Sequence, residues 1–214
     1  MILVGQYDSP YVRRVAIALH VFGLPFTRDT RSVFADADAM RTINPLGRIP
    51  SLVLDDGEVL IDSAAILDHL DEQVGPARAL LPRDGEARRR ALRIVALACG
   101  AIDKTGAIKY ERALRPPDKQ HAPWLERCLV QATSAFEALE AITPGAGWYV
   151  ADRPMQPDAI VACLIDHVRA STPEVMPKGA YPRLDALRER ANTIPGVRET
   201  MAAGDETMPA TPLG

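Results

Sequence analysis

Residues 44–70 read NPLGRIPSLVLDDGEVLIDSAAILDHL. Pro45 and Gly47 break the preceding chain, and Ile49-Pro50 leads into an apolar run. The runs 51–54 and 59–61 flank Asp55-Asp56-Gly57-Glu58, whose Asp-Gly pair is a turn signal, so the two read as a β-hairpin. Asp62 or Ser63 can cap the helix that follows, with Ile66, Leu67, Leu70 and Val74 at helical spacing. A hairpin that runs straight into a helix places this stretch in a small α/β unit.

Upstream, residues 2–5 form a short apolar run suited to a strand. Pro10 then stands where a helix can begin, since proline in the first turn removes no intrahelical hydrogen bond. Val12, Val15, Ala16, Leu19 and Phe22 follow at helical spacing, and Gly23 and Pro25 stop that helix. A second strand is expected over 26–31 and a short helix over 35–42. The order β-α-β-α-β-β-α implies a mixed sheet, with its first two strands parallel through a right-handed crossover.

Downstream, GPARALLPRDG (75–85) has the composition of a linker, and strand signals nearly vanish beyond it. Helices are expected over 86–114, 122–142, 157–171, 184–191 and 195–203, the first four separated by Pro/Gly segments. The tail after Gly204 is expected to fray. The division is therefore 1–75 as an α/β domain, 76–85 as a linker, and 86–214 as an all-helical domain.

Composition narrows the function classes. The 214 residues are 47% hydrophobic and 25% charged, which argues against global disorder and a fibrous chain. With 25 basic and 28 acidic residues the net charge is −3, so the basic field of a dedicated nucleic-acid binder is missing. The N-terminus, MILVGQYDSPYVRR, lacks the pattern of a signal peptide. The longest uncharged apolar stretch, near 94–102, is about half of what a membrane span needs. Cys99, Cys128 and Cys163 show no CxxC or Cys/His spacing, and each lies in an apolar stretch where cysteine acts as a small buried hydrophobe. A soluble, cytoplasmic protein with no metal site is the expectation.

Three places in the first unit carry chemistry. Ser9-Pro10-Tyr11-Val12 sits at a strand-to-helix junction, where backbone N–H groups and the helix dipole favour negative charge. A hydroxyl there can donate to a thiolate and lower that thiol's pKa, although serine is also a preferred N-cap. Ile49-Pro50 is a place for a cis peptide, but only about 5–6% of X-Pro bonds are cis, so the residues alone leave it open. A bend there offers the backbone of Ile49 to an extended peptide ligand, and Arg48 can meet a carboxylate or be simply solvated. At the third place Ser63 and the first-turn amides can hold a carboxylate and Asp62 an ammonium, or the pair can be an ordinary cap.

SPYVRRVAIAL (9–19) followed by the 44–70 stretch resembles the N-terminal domain of a cytosolic glutathione transferase of the bacterial, serine type. The resemblance is strongest over 1–75. It extends more weakly to Gln156-Pro157-Asp158-Ala159-Ile160, like the N-capping segment of the family's second domain, and to Tyr181-Pro182-Arg183-Leu184. It implies a thioredoxin-like domain followed by an all-helical one, and a homodimer. It also implies glutathione as co-substrate, with no bound cofactor, and a small electrophile as the second substrate. Residue by residue, Ser9 matches the activating hydroxyl, Pro50 the cis-proline, and Ile49 the backbone that pairs with the cysteinyl part of glutathione. Asp62 and Ser63 match the pair that grips the γ-glutamyl end, and Arg48 is placed to reach the glycyl carboxylate. Tyr7 competes with Ser9 as the activating hydroxyl, and Ser9 is favoured because it immediately precedes the Pro-capped helix.

Two departures matter. Glutaredoxin-like proteins carry Cys-Pro-Tyr-Cys where this chain has Ser9-Pro10-Tyr11-Val12, so dithiol exchange cannot occur at this position and an external thiol must be used. Met155 stands where the family's second-domain capping box usually begins with Ser or Thr, so only the backward bond from Asp158 is expected.

Elsewhere, Arg88, Arg89, Arg90 and Arg93 read as a solvated face and Trp124 and Trp148 as packing residues. His20, His69, His121 and His167 have no metal-ligand spacing. Lys104, Tyr110 and Arg112 are candidates for the electrophile pocket by location alone. The leading function is conjugation of glutathione to an electrophile. A glutathione-dependent isomerase and a non-catalytic ligand-binding module with the same fold are the alternatives, and neither a nucleic-acid nor a membrane partner is expected.

Overall fold

The structure is a computed structural model that describes residues 1–204 and 206. Two compact units form, with the boundary at Arg88–Arg89; the described residues from Asn192 to Glu206 cluster with the first.

The first unit holds strands β1 (Ile2–Val4), β2 (Thr27–Asp29), β3 (Ser51–Val53) and β4 (Val59–Ile61), in the sheet order β2-β1-β3-β4. β1 and β2 are parallel, and β1–β3 and β3–β4 are antiparallel. Helices α1 (Pro10–Phe22) and α3 (Ser63–Val74) pack against each other, and α2 (Ala37–Ile43) connects β2 to β3. Val12, Val15, Ala16, Leu19 and Phe22 of α1 meet Ile66, Leu67 and Leu70 of α3 in one buried cluster with Leu3 and Leu52 of the sheet. Burying one such side chain is worth about 1.5–3 kcal/mol, so this helical spacing decides which face of α1 turns inward.

The register decides where the loops emerge. Val4, the last residue of β1, pairs with Ser51, the first of β3, and Ser51 pairs with Ile61, the last of β4. The turn after β1, the Ile49-Pro50 segment before β3 and Asp62-Ser63 after β4 therefore all leave the sheet at the same end.

In the second unit, α4 (Gly85–Leu114) turns Ala91, Ile94, Ala98, Ala101, Thr105 and Ile108 inward. α5 (Ala122–Ile142) buries Cys128, Ala132, Phe136 and Leu139. α6 (Gln156–Ser171) is buried continuously from Pro157 to Ile165, as a helix apolar on all sides must be, and α7 (Pro182–Ala191) packs on it. The Arg188 Nε donates to Asp166 Oδ1 at 2.7 Å and ties α7 to α6.

At the start of α6 the half-formed capping box is present. The Asp158 carboxylate accepts the Met155 N–H at 2.9 Å and the Tyr149 N–H at 3.1 Å. The Asp158 N–H, with no side-chain oxygen to meet, donates to the Met155 carbonyl at 3.1 Å.

The helix expected over 195–203 does not form; the segment is a succession of turns and irregular chain. Gly196 takes a φ of 87°, outside the helical range, and the Val197 carbonyl accepts from Arg13 Nη2 at 3.2 Å. A Cβ on Gly196 would stand 2.7 Å from His20 Cβ, so glycine lets this segment lie directly against α1. Ile194, Val197 and Thr200 are buried in the process. Of the tail expected to fray, Glu206 is described and makes the contacts given below; the rest lies outside the described residues. Trp124, expected to pack, is 39% exposed at the first turn of α5, with Lys104 Nζ 5.6 Å from its ring centroid.

Among the described residues no helix is long and apolar enough to cross a membrane. Cys128 and Cys163 are buried and Cys99 is half-buried, and burial pushes the Cys128 thiol up, away from the reactive thiolate.

Candidate active site

Ser9 ends the turn after β1 with φ −84° and ψ 117°, and Pro10 follows at the first helical position. Its Oγ accepts the Val12 N–H at 3.4 Å, a long bond. This use as a cap engages an oxygen lone pair and leaves the hydroxyl hydrogen for another acceptor. The cap and the thiolate donor are thus compatible roles for one side chain.

Gly5 brings this turn against the Ile49-Pro50 segment. With φ 139°, it occupies backbone space that side chains rarely adopt, and a Cβ there would stand 2.6 Å from Val12 Cγ2 and 3.0 Å from Ile49 Cβ. The Gly5 N–H donates to the Asp29 carbonyl at 2.8 Å, which extends the β1–β2 pairing by one residue.

The Ile49–Pro50 bond is cis. The loop before it is organised by Asn44, buried at the end of α2. Its Nδ2 donates to the Arg48 carbonyl at 2.8 Å and its Oδ1 accepts the Leu46 N–H at 3.0 Å, while Gly47 takes φ 60°. Arg48 itself is exposed on this loop.

Asp62 has φ 69° and ψ 128°, and among the described residues it is the one non-glycine residue at positive φ. Such backbone costs on the order of 1–3 kcal/mol and persists where surrounding structure dictates it, often at functional sites. Asp62 Oδ1 accepts the Ala64 N–H at 2.8 Å, so it caps α3 and Ser63 becomes the first helical residue. Ser63 is buried, and its Oγ accepts from Arg14 Nη2 at 2.6 Å.

Tyr7 is buried beneath Arg28, whose guanidinium carbon lies 3.5 Å from the ring centroid. Burial pushes the Tyr7 phenol up against the opposing pull of the Arg28 charge, and the side chain packs in the buried cluster of the first unit. The Tyr7 N–H donates to the carboxylate of Glu206, which also accepts from Arg28 Nη2 at 2.9 and 2.7 Å.

Five of the six site residues read from the sequence, namely Ser9, Ile49, Pro50, Asp62 and Ser63, stand on the three segments that leave one end of the sheet, and Arg48 precedes them on the same loop. Sequence reasoning missed Arg14 and Glu206. The signal for Arg14 was available: Arg13 and Arg14 interrupt an otherwise apolar helix, and both are buried. Glu206 carried no such signal. In the second unit, Arg112 is paired with Glu174, Lys104 lies over Trp124, and Tyr110 is exposed. Arg89, Arg90 and Arg93 are exposed, as a solvated face requires, and Arg88 donates to the Pro82 carbonyl at 3.0 Å.

This architecture and motif set are shared with known proteins. The family profile for the glutathione S-transferase N-terminal domain matches residues 3–78, and the profile for the C-terminal domain of the same family matches residues 122–190. An uncharacterized GST-like protein of Escherichia coli, YibF, is 30% identical over 174 residues, covering 78% of this chain and 82% of its own length. Maleylacetoacetate isomerase of Pseudomonas aeruginosa is 29% identical, over 98% of this chain and all of its own. A glutathione transferase family member from Pseudomonas fluorescens, solved with bound glutathione, superposes with a TM-score of 0.83 at 35% identity, covering 94% of this chain and 98% of that one. The chain belongs to the glutathione S-transferase family, with a thioredoxin-like α/β domain and an all-helical domain.

Proposed function

We propose that the protein binds reduced glutathione along the end of its sheet and directs the thiolate at a small electrophile. The observation that carries this reading is the register that brings Ser9, Ile49-Pro50 and Asp62-Ser63 to one end, together with the glutathione-bound relative of the same fold. In this assignment the backbone of Ile49 pairs with the cysteinyl unit, Ser63 and the α3 amides take the γ-glutamyl carboxylate, Asp62 takes its ammonium, and Arg48 meets the glycyl carboxylate. The Ser9 hydroxyl donates to the sulfur. A donor to the charged form stabilises the thiolate, lowers the thiol pKa and enriches the nucleophile near neutral pH. The thiolate then forms a C–S bond to the electrophile while the leaving group departs with the displaced electron pair. Holding both reactants together supplies the remaining rate advantage. No metal or redox cofactor takes part.

Residues 1–75 form the glutathione-binding domain in this assignment, 76–85 the linker and 86–214 the helical domain. The protein works as a cytoplasmic homodimer. Isomerisation is the second reading, and the full-length similarity to maleylacetoacetate isomerase favours it. There the thiolate adds to a double bond, rotation follows, and the thiolate is expelled again, so glutathione is regenerated. Titration calorimetry with glutathione, followed by a panel of halide electrophiles and of cis-dicarbonyl alkenes, separates these. Consumption of glutathione marks conjugation and its retention marks isomerisation. Absence of binding at millimolar glutathione leaves only the non-catalytic module.

A further inference from the structure

We propose that Glu206 is a positioning residue that acts on Ser9 through the peptide between Gln6 and Tyr7. This rests on the reading of Ser9 as the hydroxyl that donates to the glutathione sulfur.

Residues 6–9 form a β-turn in which the Ser9 N–H donates to the Gln6 carbonyl at 3.2 Å. The N–H of the same peptide unit belongs to Tyr7, and it donates to the Glu206 carboxylate. One peptide is therefore held at both ends, by Ser9 on its carbonyl and by Glu206 on its N–H. A carboxylate on the N–H polarises the peptide and strengthens its carbonyl as an acceptor, so the two bonds support each other. The peptide is planar and stiff, and fixing its plane fixes where the turn delivers Ser9.

Glu206 is itself fixed. It is 7% exposed, both of its oxygens accept from Arg28 Nη2, at 2.9 and 2.7 Å, and its N–H donates to the Ala203 carbonyl at 3.0 Å. The other backbone partner of Ser9 is gripped by the same segment. The Ser9 carbonyl accepts the Arg13 N–H at 3.0 Å, and Arg13 Nη2 reaches the Val197 carbonyl and the Met201 sulfur, each at 3.2 Å. Gln6 before Ser9 and Arg13 after it thus both lean on residues 197–206. A buried carboxylate carries a desolvation cost that an apolar fastening avoids, and here it stands on the peptide that bonds Ser9.

A positioning role and a merely fastening one separate in a double-mutant cycle with Ser9. The pKa of the bound glutathione thiol is followed by the ultraviolet absorbance of the thiolate, beside steady-state kinetics, below the melting temperature of every variant. Ser9→Ala should raise that pKa by about one unit or more, the effect of losing a donor to a charged group. Glu206→Ala should raise it by about half a unit to one unit and lower kcat about three- to tenfold, with KM for glutathione within about threefold. In the Ser9→Ala background the same Glu206→Ala change should move the pKa by less than about 0.2 unit, because its effect passes through the missing hydroxyl. Equal shifts in both backgrounds overturn the proposal, as does an unshifted pKa in folded Glu206→Ala. If that variant does not fold, Glu206→Gln decides by the same cycle: a smaller shift confined to the Ser9 background supports the proposal, and equal shifts or none overturn it. An unshifted thiol in Ser9→Ala, or failure of the unaltered protein to bind glutathione, overturns the underlying reading itself, and this inference with it.

Discussion

The carboxylate of Glu206 accepts the backbone N–H of Tyr7, 199 residues earlier in the chain, and grips the Arg28 guanidinium with both oxygens. Arg28 in turn covers the Tyr7 ring, so three residues from distant parts of the chain close around the turn that presents Ser9. Replacing Glu206 by alanine leaves a buried N–H unpaired, at a cost of about 1–3 kcal/mol. For a chain of this size that corresponds to a drop in melting temperature of about 2–4 °C per kcal/mol. Hydrogen exchange at the Tyr7 amide should accelerate in the same variant, and unchanged protection there would show that the contact is not maintained in solution.

Ser9→Ala should keep the KM for glutathione within a few-fold and lower kcat by about ten- to a hundredfold, the range for a hydrogen bond to a charged group. The pH–rate profile should shift its acid limb upward, because the bound thiol loses a donor to its ionised form. Tyr7→Phe should retain most of the turnover, since the Tyr7 side chain is buried with its ring covered by Arg28. The reverse pattern in steady-state kinetics would transfer the activating role to Tyr7.

Gly5→Ala should destabilise the first unit strongly. The added Cβ would meet Val12 Cγ2 at 2.6 Å in backbone with φ 139°, so α1 or the Ile49 segment has to move. Overpacking of this kind costs about 1–3 kcal/mol, and the positive φ adds to it. Denaturant titration should show a lower midpoint, and glutathione binding should weaken more than at a surface Gly57→Ala control, where nothing lies within 4 Å of the new atom.

Asp158 gives a pH signature. Burial pushes its carboxyl from the usual 3.8 up to about 6, although the Met155 and Tyr149 N–H groups pull the other way. With the folded value raised, the folded state binds more protons than the unfolded one between these limits. The contribution of Asp158 to stability is then fully present below about 3.8 and is lost as pH rises through about 6. In urea titrations at several pH values, the stability difference between the unaltered protein and Asp158→Asn should move against the unaltered protein from pH 4 to pH 6 and level off above 7. A difference that moves the other way would mean that the two backbone donors outweigh burial.

How far the sequence could be read follows the range of the interactions involved. The hairpin at 51–61, the Pro10 start of α1 and the α3 cap are local events, governed by residues within one turn of each other, and they were legible. So was the half capping box, because it follows from the absence of a side-chain oxygen at Met155. The cis state of Ile49–Pro50 was not legible in the dipeptide itself, which is compatible with either isomer, but only in its match to the family's cis-proline. The helix expected over 195–203 failed because Gly196 and the Val197 carbonyl answer to His20 and Arg13, contacts between ends of the chain that no local pattern reveals. Arg14 and Glu206 escaped for the same reason: their partners are 49 and 199 residues away.

The clasp between Glu206 and the Tyr7 turn also has a consequence for the order of assembly on the ribosome. The sheet and helices up to Arg88 are synthesised first, yet the turn bearing Ser9 lacks its clasp until residue 206 has been made. At about 5–20 residues per second, that leaves an interval on the order of ten seconds. During that interval the helical unit emerges and can fold while the older part of the chain waits with Arg28 and the Tyr7 amide still unengaged by Glu206. The portion of the protein born first is the portion finished last.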